Sequence, residues 1–172
     1  MSLHRSGRKP RVLVQPMLVR HIPTVLDIEQ RSFEFPWREL DVAYQLDCRL
    51  SAALVAKYQN RIAGFIIGIR GKKALKIVNM AVHPAYRRHG VGSALLHQIQ
   101  QRPWVGCRNR VTVLVRESNL PAQLFFKSQG FRAVRVHRAF RYLDCTEDAY
   151  VMSRPICFEP LRSSVELRYS AR

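Results

Sequence analysis

Acidic residues are scarce in this chain. Its 172 residues include 12 Asp and Glu against 29 Lys and Arg, which gives a formal net charge of +17. A surface with this excess attracts polyanions such as nucleic acids, phosphorylated cofactors and acidic protein faces. The basic residues are spread along the chain, so the charge indicates no specific nucleic-acid site, and contact with nucleic acid through charge alone stays open as an alternative.

Long apolar runs are also missing. No window of roughly 18 apolar residues free of charge occurs, so the sequence predicts no transmembrane helix and no membrane partner. The first eleven residues carry Arg5, Arg8, Lys9 and Arg11 but no following apolar block, so we expect no secretory signal. Hydrophobic residues make up 47% of the chain, enough for a buried core. We therefore expect one folded domain in the cytoplasm.

Spacings typical of metal sites and disulfides are absent too. The 4 cysteines lie far apart and form no Cys-x-x-Cys pair, and the 6 histidines show no His-x-x-x-His spacing. Reduced thiols are what a cytosolic protein with this pattern carries. We expect no metal ion.

The elements that periodicity and turn residues predict alternate between strands and helices. Three strands joined by short turns form a meander, and the helix after the third strand leads to a further strand by a plausible parallel crossover. This order predicts an α/β fold, a mixed sheet with helices packed on it. The predicted strands are 12–19, 52–58, 62–69, 75–82, 110–115, 131–136 and 149–152, and the predicted helices are 23–33, 38–47, 90–101 and 120–128.

Composition divides the chain into three parts. Residues 1–11 predict a flexible basic arm, and 12–156 predict the folded domain. Residues 157–172 form a C-terminal tail to which the sequence assigns no role.

The segment from Ile77 to Leu96 carries the most chemical information. An apolar strand ends at His83-Pro84, a basic loop follows, and two glycines open a helix. The first turn of a helix has unpaired backbone N–H groups and a partial positive charge, so it binds phosphate. Glycine lets the backbone approach closely, and arginine adds charged donors. A Walker loop is excluded because Gly-Lys-Ser/Thr is absent, and Leu95 stands where a dinucleotide fingerprint needs a third glycine.

Arg87-x-x-Gly90-x-Gly92 resembles the acetyl-CoA signature of the GNAT superfamily of N-acetyltransferases. The resemblance implies the GNAT fold, about seven strands with helices on both faces, and acetyl-CoA as co-substrate. In that family the loop amides hold the pyrophosphate, and the preceding strand pairs with the pantetheine arm. The cofactor-binding residues it implies here are Met80, Ala81, Val82, Arg87, Arg88, His89, Gly90, Val91, Gly92, Ser93, Asn119 and Phe126.

Asn119 belongs to a second block, 115–131, that resembles the family's other cofactor segment. There an asparagine side chain meets the pantetheine arm. A helix N-cap is an equally good local reading of Asn119, and both roles are compatible.

Within the superfamily, four stretches resemble the RimI-like group, which acetylates the N-terminal alanine of a ribosomal protein. The resemblance implies that the acceptor is a protein or peptide N-terminus, with a ribosomal protein as one candidate. It places Glu34, Phe35, Pro36 and Trp37 beside the acceptor, with Tyr142. A small-molecule or lysine acetyltransferase and a catalytically silent acetyl-CoA-binding regulatory module stay open as alternatives. The four stretches are 35–37, 78–96, 115–131 and 147–152.

The chain departs from this group at the two positions that move protons. The group has a glutamate base on the fifth strand and a tyrosine acid in the next helix, and Leu114 and Phe126 stand there. An α-amine titrates near 7.7–8.0 and a lysine near 10.4, so the loss of a base favours an α-amine acceptor. Glu117 and Tyr142 are the candidate substitutes for catalysis.

Overall fold

The computed structural model describes residues 11–101, 110–142 and 145–156. Nearly all of the predicted arm and all of the predicted tail lie outside this range, so the division into three parts stays a prediction. Within the described ranges there are seven strands and four helices. They are β1 (Leu13–Pro16), α1 (Ile22–Gln30), α2 (Glu39–Asp47), β2 (Ser51–Tyr58), β3 (Arg61–Arg70), β4 (Ala74–Val82), α3 (Val91–Gln100), β5 (Arg110–Arg116), α4 (Leu120–Ser128), β6 (Arg132–Tyr142) and β7 (Cys145–Pro155).

The strands form one sheet in the order β1-β2-β3-β4-β5-β7-β6. β1 to β4 are an antiparallel meander, and β4 pairs with β5 in parallel. α3 lies between β4 and β5 along the chain, as a parallel connection requires. The prediction of a mixed sheet of about seven strands is confirmed.

Each face of the sheet carries its own apolar core. On one face, Leu95, Leu96 and Ile99 of α3 and Phe126 of α4 pack with the sheet. On the other face, α1 and α2 contribute Ile22, Val25, Ile28 and Val42, all of them buried. Helices on both faces are thereby confirmed, and the central strands are apolar because both of their faces are covered.

The predicted boundaries of four elements were wrong by three residues or more. The helix predicted for 23–33 ends at Gln30. The strand predicted for 12–19 ends at Pro16, because a 3-10 turn over Val19–His21 follows. That turn is closed by the Leu18 amide donating to Nδ1 of His21 at 3.1 Å. β6 and β7 are much longer than the predicted 131–136 and 149–152, since they pair with each other along a hairpin that reaches Tyr142 and Cys145.

Candidate active site

The sheet opens between its two parallel strands. β4 and β5 pair only from Ala74 to Ile77 and from Arg110 to Val113, although β4 continues to Val82 and β5 to Arg116. A cleft of about 370 Å³ lies where the strands part. Its walls include the ends of both strands beyond the point where β4 and β5 stop pairing with each other, namely Val78, Asn79, Met80, Leu114, Val115 and Arg116.

A β-bulge on β4 helps to shape this cleft. Ile67 and Gly68 of β3 face Asn79 and Ile77, so Val78 is the extra residue on β4. A bulge reverses the alternation of side chains along a strand. Ile77 accordingly belongs to the core beneath α3, whereas Ala81 belongs to the core beneath α1. The same reversal directs the Asn79 side chain to α1, where it bonds to Glu29.

The turn after β4 has the geometry of an anion cradle. Gly90 has φ of +79° and caps α3, which begins at Val91. Arg88 also adopts a positive φ, and Arg87 Nε donates to the Val82 carbonyl at 3.2 Å, which fixes the turn against the end of β4. The backbone N–H groups in the first turn of α3 have no hydrogen-bond partner within the helix, because no turn precedes them. A phosphate group is the ligand that such a turn accommodates.

Gly92 sits in the first turn of α3 at a tight place. A Cβ atom there would lie 3.1 Å from Cζ of Phe125 and 3.4 Å from Cε of Met80. The glycine therefore allows the start of α3 to lie close to α4 and to Met80 of β4. The turn beside it suits a phosphorylated cofactor.

An ion-pair cluster lies at the other end of the cleft. Arg116 Nε donates to Glu147, Arg116 Nη1 lies 3.3 Å from Oε2 of Glu34, and the guanidinium carbon is 6.0 Å from the centre of the Phe35 ring. The Ser118 amide donates to Oε2 of Glu147 at 3.1 Å. These contacts join the loop after α1 to β5 and β7. Polar groups of opposite sign therefore form this end of the cleft.

Comparison with known proteins agrees with this geometry. Residues 22–131 match the acetyltransferase (GNAT) family. The chain belongs to the GNAT family of acetyltransferases. The [ribosomal protein bS18]-alanine N-acetyltransferase of Escherichia coli K12 is 32% identical over 137 residues, 78% of this chain and 91% of that protein. An N-alpha-acetyltransferase of Sulfurisphaera tokodaii is 34% identical over 119 residues, 62% of this chain and 70% of that protein.

A solved structure extends the likeness to the fold. The crystal structure of the ribosomal-protein-S18-alanine N-acetyltransferase from Escherichia coli superposes with a TM-score of 0.74 at 26% identity. The superposition covers 88% of this chain and 98% of that chain. The resemblance to RimI-like members of the GNAT family is thereby confirmed.

The cofactor residues that the GNAT resemblance implies fall into two groups. Met80, Asn119 and Phe126 line the cleft. The others follow β4 through the turn into α3 and do not line it; they are Ala81, Val82, Arg87, Arg88, His89, Gly90, Val91, Gly92 and Ser93. Asn119 also caps α4, since its Oδ1 accepts from the Ala122 amide at 3.1 Å. Its N-cap role is confirmed, and a contact with pantetheine stays a prediction.

The predicted acceptor residues are mostly at the cleft. Glu34, Phe35 and Trp37 line it, while Pro36 is exposed and does not. Tyr142 ends β6, and its side chain lies outside the described residues. Its proposed roles in catalysis and acceptor binding stay predictions.

Glu117 is not brought to the cleft. It is exposed on the turn after β5, and its Oε1 accepts from the hydroxyl of Tyr150 at 3.1 Å. That bond raises the pKa of Tyr150, because ionising the phenol would place a second negative charge beside the carboxylate. The placement gives a catalytic role for Glu117 no support. At the two positions where the RimI-like resemblance implies proton-transferring residues, Leu114 lines the cleft with 39% exposure and Phe126 is buried there.

Sequence reasoning missed Glu29. This residue of α1 is buried, lines the cleft, accepts a hydrogen bond from the Asn79 amide, and accepts another from the Trp37 backbone N–H at 3.4 Å. Burial raises the pKa of Glu29 to about 7, against the lowering effect of these two hydrogen bonds. One signal was available, since Glu29 is four residues after Val25 and so falls on the apolar face of α1.

The described residues contain neither an arranged metal site nor a membrane-spanning helix. Among the described residues, no group of three or more His, Cys, Asp or Glu side chains is arranged to hold a metal ion. No helix in the same ranges is long and apolar enough to cross a bilayer.

Proposed function

We propose that this protein transfers the acetyl group of acetyl-CoA to the N-terminal α-amine of a protein. The observation that carries the proposal is the parting of β4 and β5 directly beside the glycine turn that opens α3. A cofactor with phosphates at one end and a thioester at the other needs an anion site and an adjoining cleft. The proposal is supported by β4, which runs from the parted strands toward the glycine turn.

The residues of this chain would divide the work of binding. The amides of 91–93 and the basic turn at 87–89 would hold the phosphates. Beyond Ile77, the side of β4 that faces β5 has no strand partner among the described residues, so alternate N–H and C=O groups there are available to an extended arm. Acetyl-CoA supplies an acyl group on a good leaving thiol, and the cleft orients it against the amine.

The choice of an α-amine rests on two arguments. The Escherichia coli relative, of whose length this chain covers 91%, is named for alanine N-acetylation of ribosomal protein bS18. In addition, the RimI-like resemblance implies that Leu114 and Phe126 stand where that group has its two proton-transferring side chains, and an α-amine near 7.7–8.0 tolerates their loss better than lysine. A ribosomal protein in the cytoplasm is the acceptor that this proposal favours.

One alternative has an observation of its own. The apolar Leu114 and Phe126 at the cleft also suit an acetyl-CoA-binding module without catalysis. Such a module would bind acetyl-CoA and acetylate neither peptides nor amines. Transfer restricted to lysine or to small amines is the remaining alternative.

The proposal is tested by mass spectrometry on three matched acceptors with acetyl-CoA. One peptide has a free α-amine and no lysine, the second has a blocked N-terminus and one lysine, and the third acceptor is a small primary amine. We expect acetylation of the first peptide at its N-terminus, with transfer to the other two much slower. Acetylation of only the lysine or the small amine contradicts the proposed acceptor, and binding without any transfer supports the silent module.

A further inference from the structure

We propose that Glu29 is the proton acceptor of this acetyltransferase, taking over from the base that Leu114 replaces. The inference rests on the proposed function, because it names the group that deprotonates the acceptor amine in the same cleft.

The position of Glu29 is the first support. It enters the cleft from α1 and contacts two segments that line it, with Oε1 bonded to Asn79 of β4 and Oε2 bonded to the Trp37 amide of the acceptor loop. The bulge at Val78 is what directs Asn79 to this carboxyl group. Glu29 thus lies between the strand expected to carry the acetyl group and the loop expected to carry the amine.

Elimination within the cleft is the second support. The described residues that line it include two carboxyl groups, Glu29 and Glu34, and no histidine, tyrosine, cysteine or lysine. Glu34 is 67% exposed at the mouth and pairs with Arg116. Glu29 is closed off from bulk solvent. Burial makes the ionised Glu29 a stronger base than an exposed carboxylate, which suits it to accept a proton from an amine.

The groups around Glu29 set its proton affinity. Asn79 from β4 and the Trp37 amide favour the charged form, whereas burial and the Asp41 carboxylate of α2 favour the neutral form. The charged groups that line the rest of the cleft are Glu34 and Arg116. The result, a pKa of about 7, lies within about a unit of an α-amine, so proton transfer between them is nearly balanced.

The step conserves atoms and charge. The ionised Glu29 takes one proton from the α-ammonium, through a water molecule in the cleft where direct reach fails, and leaves a neutral amine. The amine nitrogen attacks the thioester carbon, a C–N bond forms and the C–S bond breaks. The second proton passes from nitrogen to the thiolate sulfur, and Glu29 returns its proton to solvent before the next turnover.

The test compares pH profiles of kcat/KM for the wild type and Glu29→Gln on the peptide with a free α-amine and on the small amine. Near pH 7 the variant should be slower by about 100-fold or more, the usual contribution of a positioned base. The difference should shrink as pH rises past the amine pKa, because the acceptor then loses its proton without help. Asp27→Asn, the same loss of charge on α1 away from the cleft, is the matched control and should keep the wild-type profile.

A double variant separates proton transfer from support of the cleft. Glu29→Gln combined with Leu114→Glu restores a carboxylate on the opposite wall, and about a 10-fold recovery at neutral pH is expected. An unchanged acetyl-CoA Kd verifies that each variant is folded. A wild-type profile for Glu29→Gln overturns the proposal, as does an equal loss at every pH without recovery, which would make Glu29 a structural tie.

The use of two acceptors, a peptide and a small amine, allows the α-amine proposal and the Glu29 proposal to fail separately. Wild-type transfer to the small amine but not to the peptide contradicts the α-amine proposal alone, and the Glu29 profile is then read on the small amine. Failure of the wild type to transfer to either acceptor contradicts both.

Discussion

The two ends of the cleft are built in opposite ways. At the proposed cofactor end, one continuous segment from Met80 to Ser93 supplies the strand end, the basic turn and the start of α3, and Asn119 and Phe126 join it from a later segment. At the proposed acceptor end, the contacts join residues far apart in the chain. Glu29 and Asn79 are 50 positions apart, and Arg116 and Glu34 are 82 positions apart.

Because of this difference, we expect different residues to determine cofactor binding and acceptor binding. The cofactor end depends on backbone conformation, so a change there alters the turn itself. The acceptor end depends on side chains that hold each other in place, so a change there alters the amine and its proton. Variants at one end should therefore leave the function of the other end intact.

Gly92→Glu should have the largest effect. The added side chain meets Phe125 and Met80, and its carboxylate lies in the first turn of α3 where phosphate would bind. We expect the acetyl-CoA Kd from calorimetry to rise by at least about 100-fold, or about 2.7 kcal/mol.

The matched control is Gln98→Glu, which adds the same charge on an exposed position of the same helix. It should keep the wild-type Kd. Equal Kd values for Gly92→Glu and the wild type would mean that the turn at 90–93 does not hold the cofactor.

The backbone shape of the turn at the proposed cofactor end could be predicted from the sequence, because glycines and arginines at fixed spacing specify a local conformation. The acceptor end could not, since its contacts form only after folding. The run Ile77-Val78-Asn79 looks like regular strand, and nothing local in it indicates that Val78 is a bulge that turns Asn79 toward α1. Glu29 likewise follows the period of α1, and its burial depends on residues from three other segments.

Glu29→Gln should change how stability depends on pH. The pKa of Glu29 is raised from 4.5 to about 7 in the folded state, so the folded protein holds a proton that the unfolded chain releases between these values. Stability from this group is present below about pH 4.5 and is lost as pH rises through 7. The loss amounts to about 3 kcal/mol, at 1.36 kcal/mol for each pKa unit.

Urea unfolding at pH 5 and pH 8 measures this effect. Relative to the wild type, Glu29→Gln should gain stability between pH 5 and pH 8 by up to that amount, and Asp27→Asn should show no such trend. A parallel pH dependence in the wild type and Glu29→Gln would show that Glu29 does not titrate between these pH values.

Arg116→Leu should have a smaller effect, confined to the acceptor. Removing the guanidinium leaves Glu147, whose side chain is 19% exposed, with a weaker set of partners, and releases Glu34. We expect the peptide KM to rise by about 10-fold and the free energy of unfolding to fall by about 1–3 kcal/mol. The acetyl-CoA Kd should stay unchanged.

Arg138→Leu is the control for this change, because it removes another arginine paired with a carboxylate but with its side chain 81% exposed. Exposed pairs contribute little, so both KM and stability should match the wild type. Weaker acetyl-CoA binding in Arg116→Leu would contradict the separation of the two ends.

The central claim is that acetyl-CoA binds along β4, where it parts from β5, and at the start of α3. Amide hydrogen exchange with and without acetyl-CoA tests this claim most directly, because it measures the protection of backbone N–H groups at both places in one experiment. Binding should slow exchange at 78–82 on β4 and at 91–93 at the start of α3, with little change in α2. Saturated binding that leaves both segments unprotected would contradict the account, since the cofactor would then lie outside the cleft between β4 and β5.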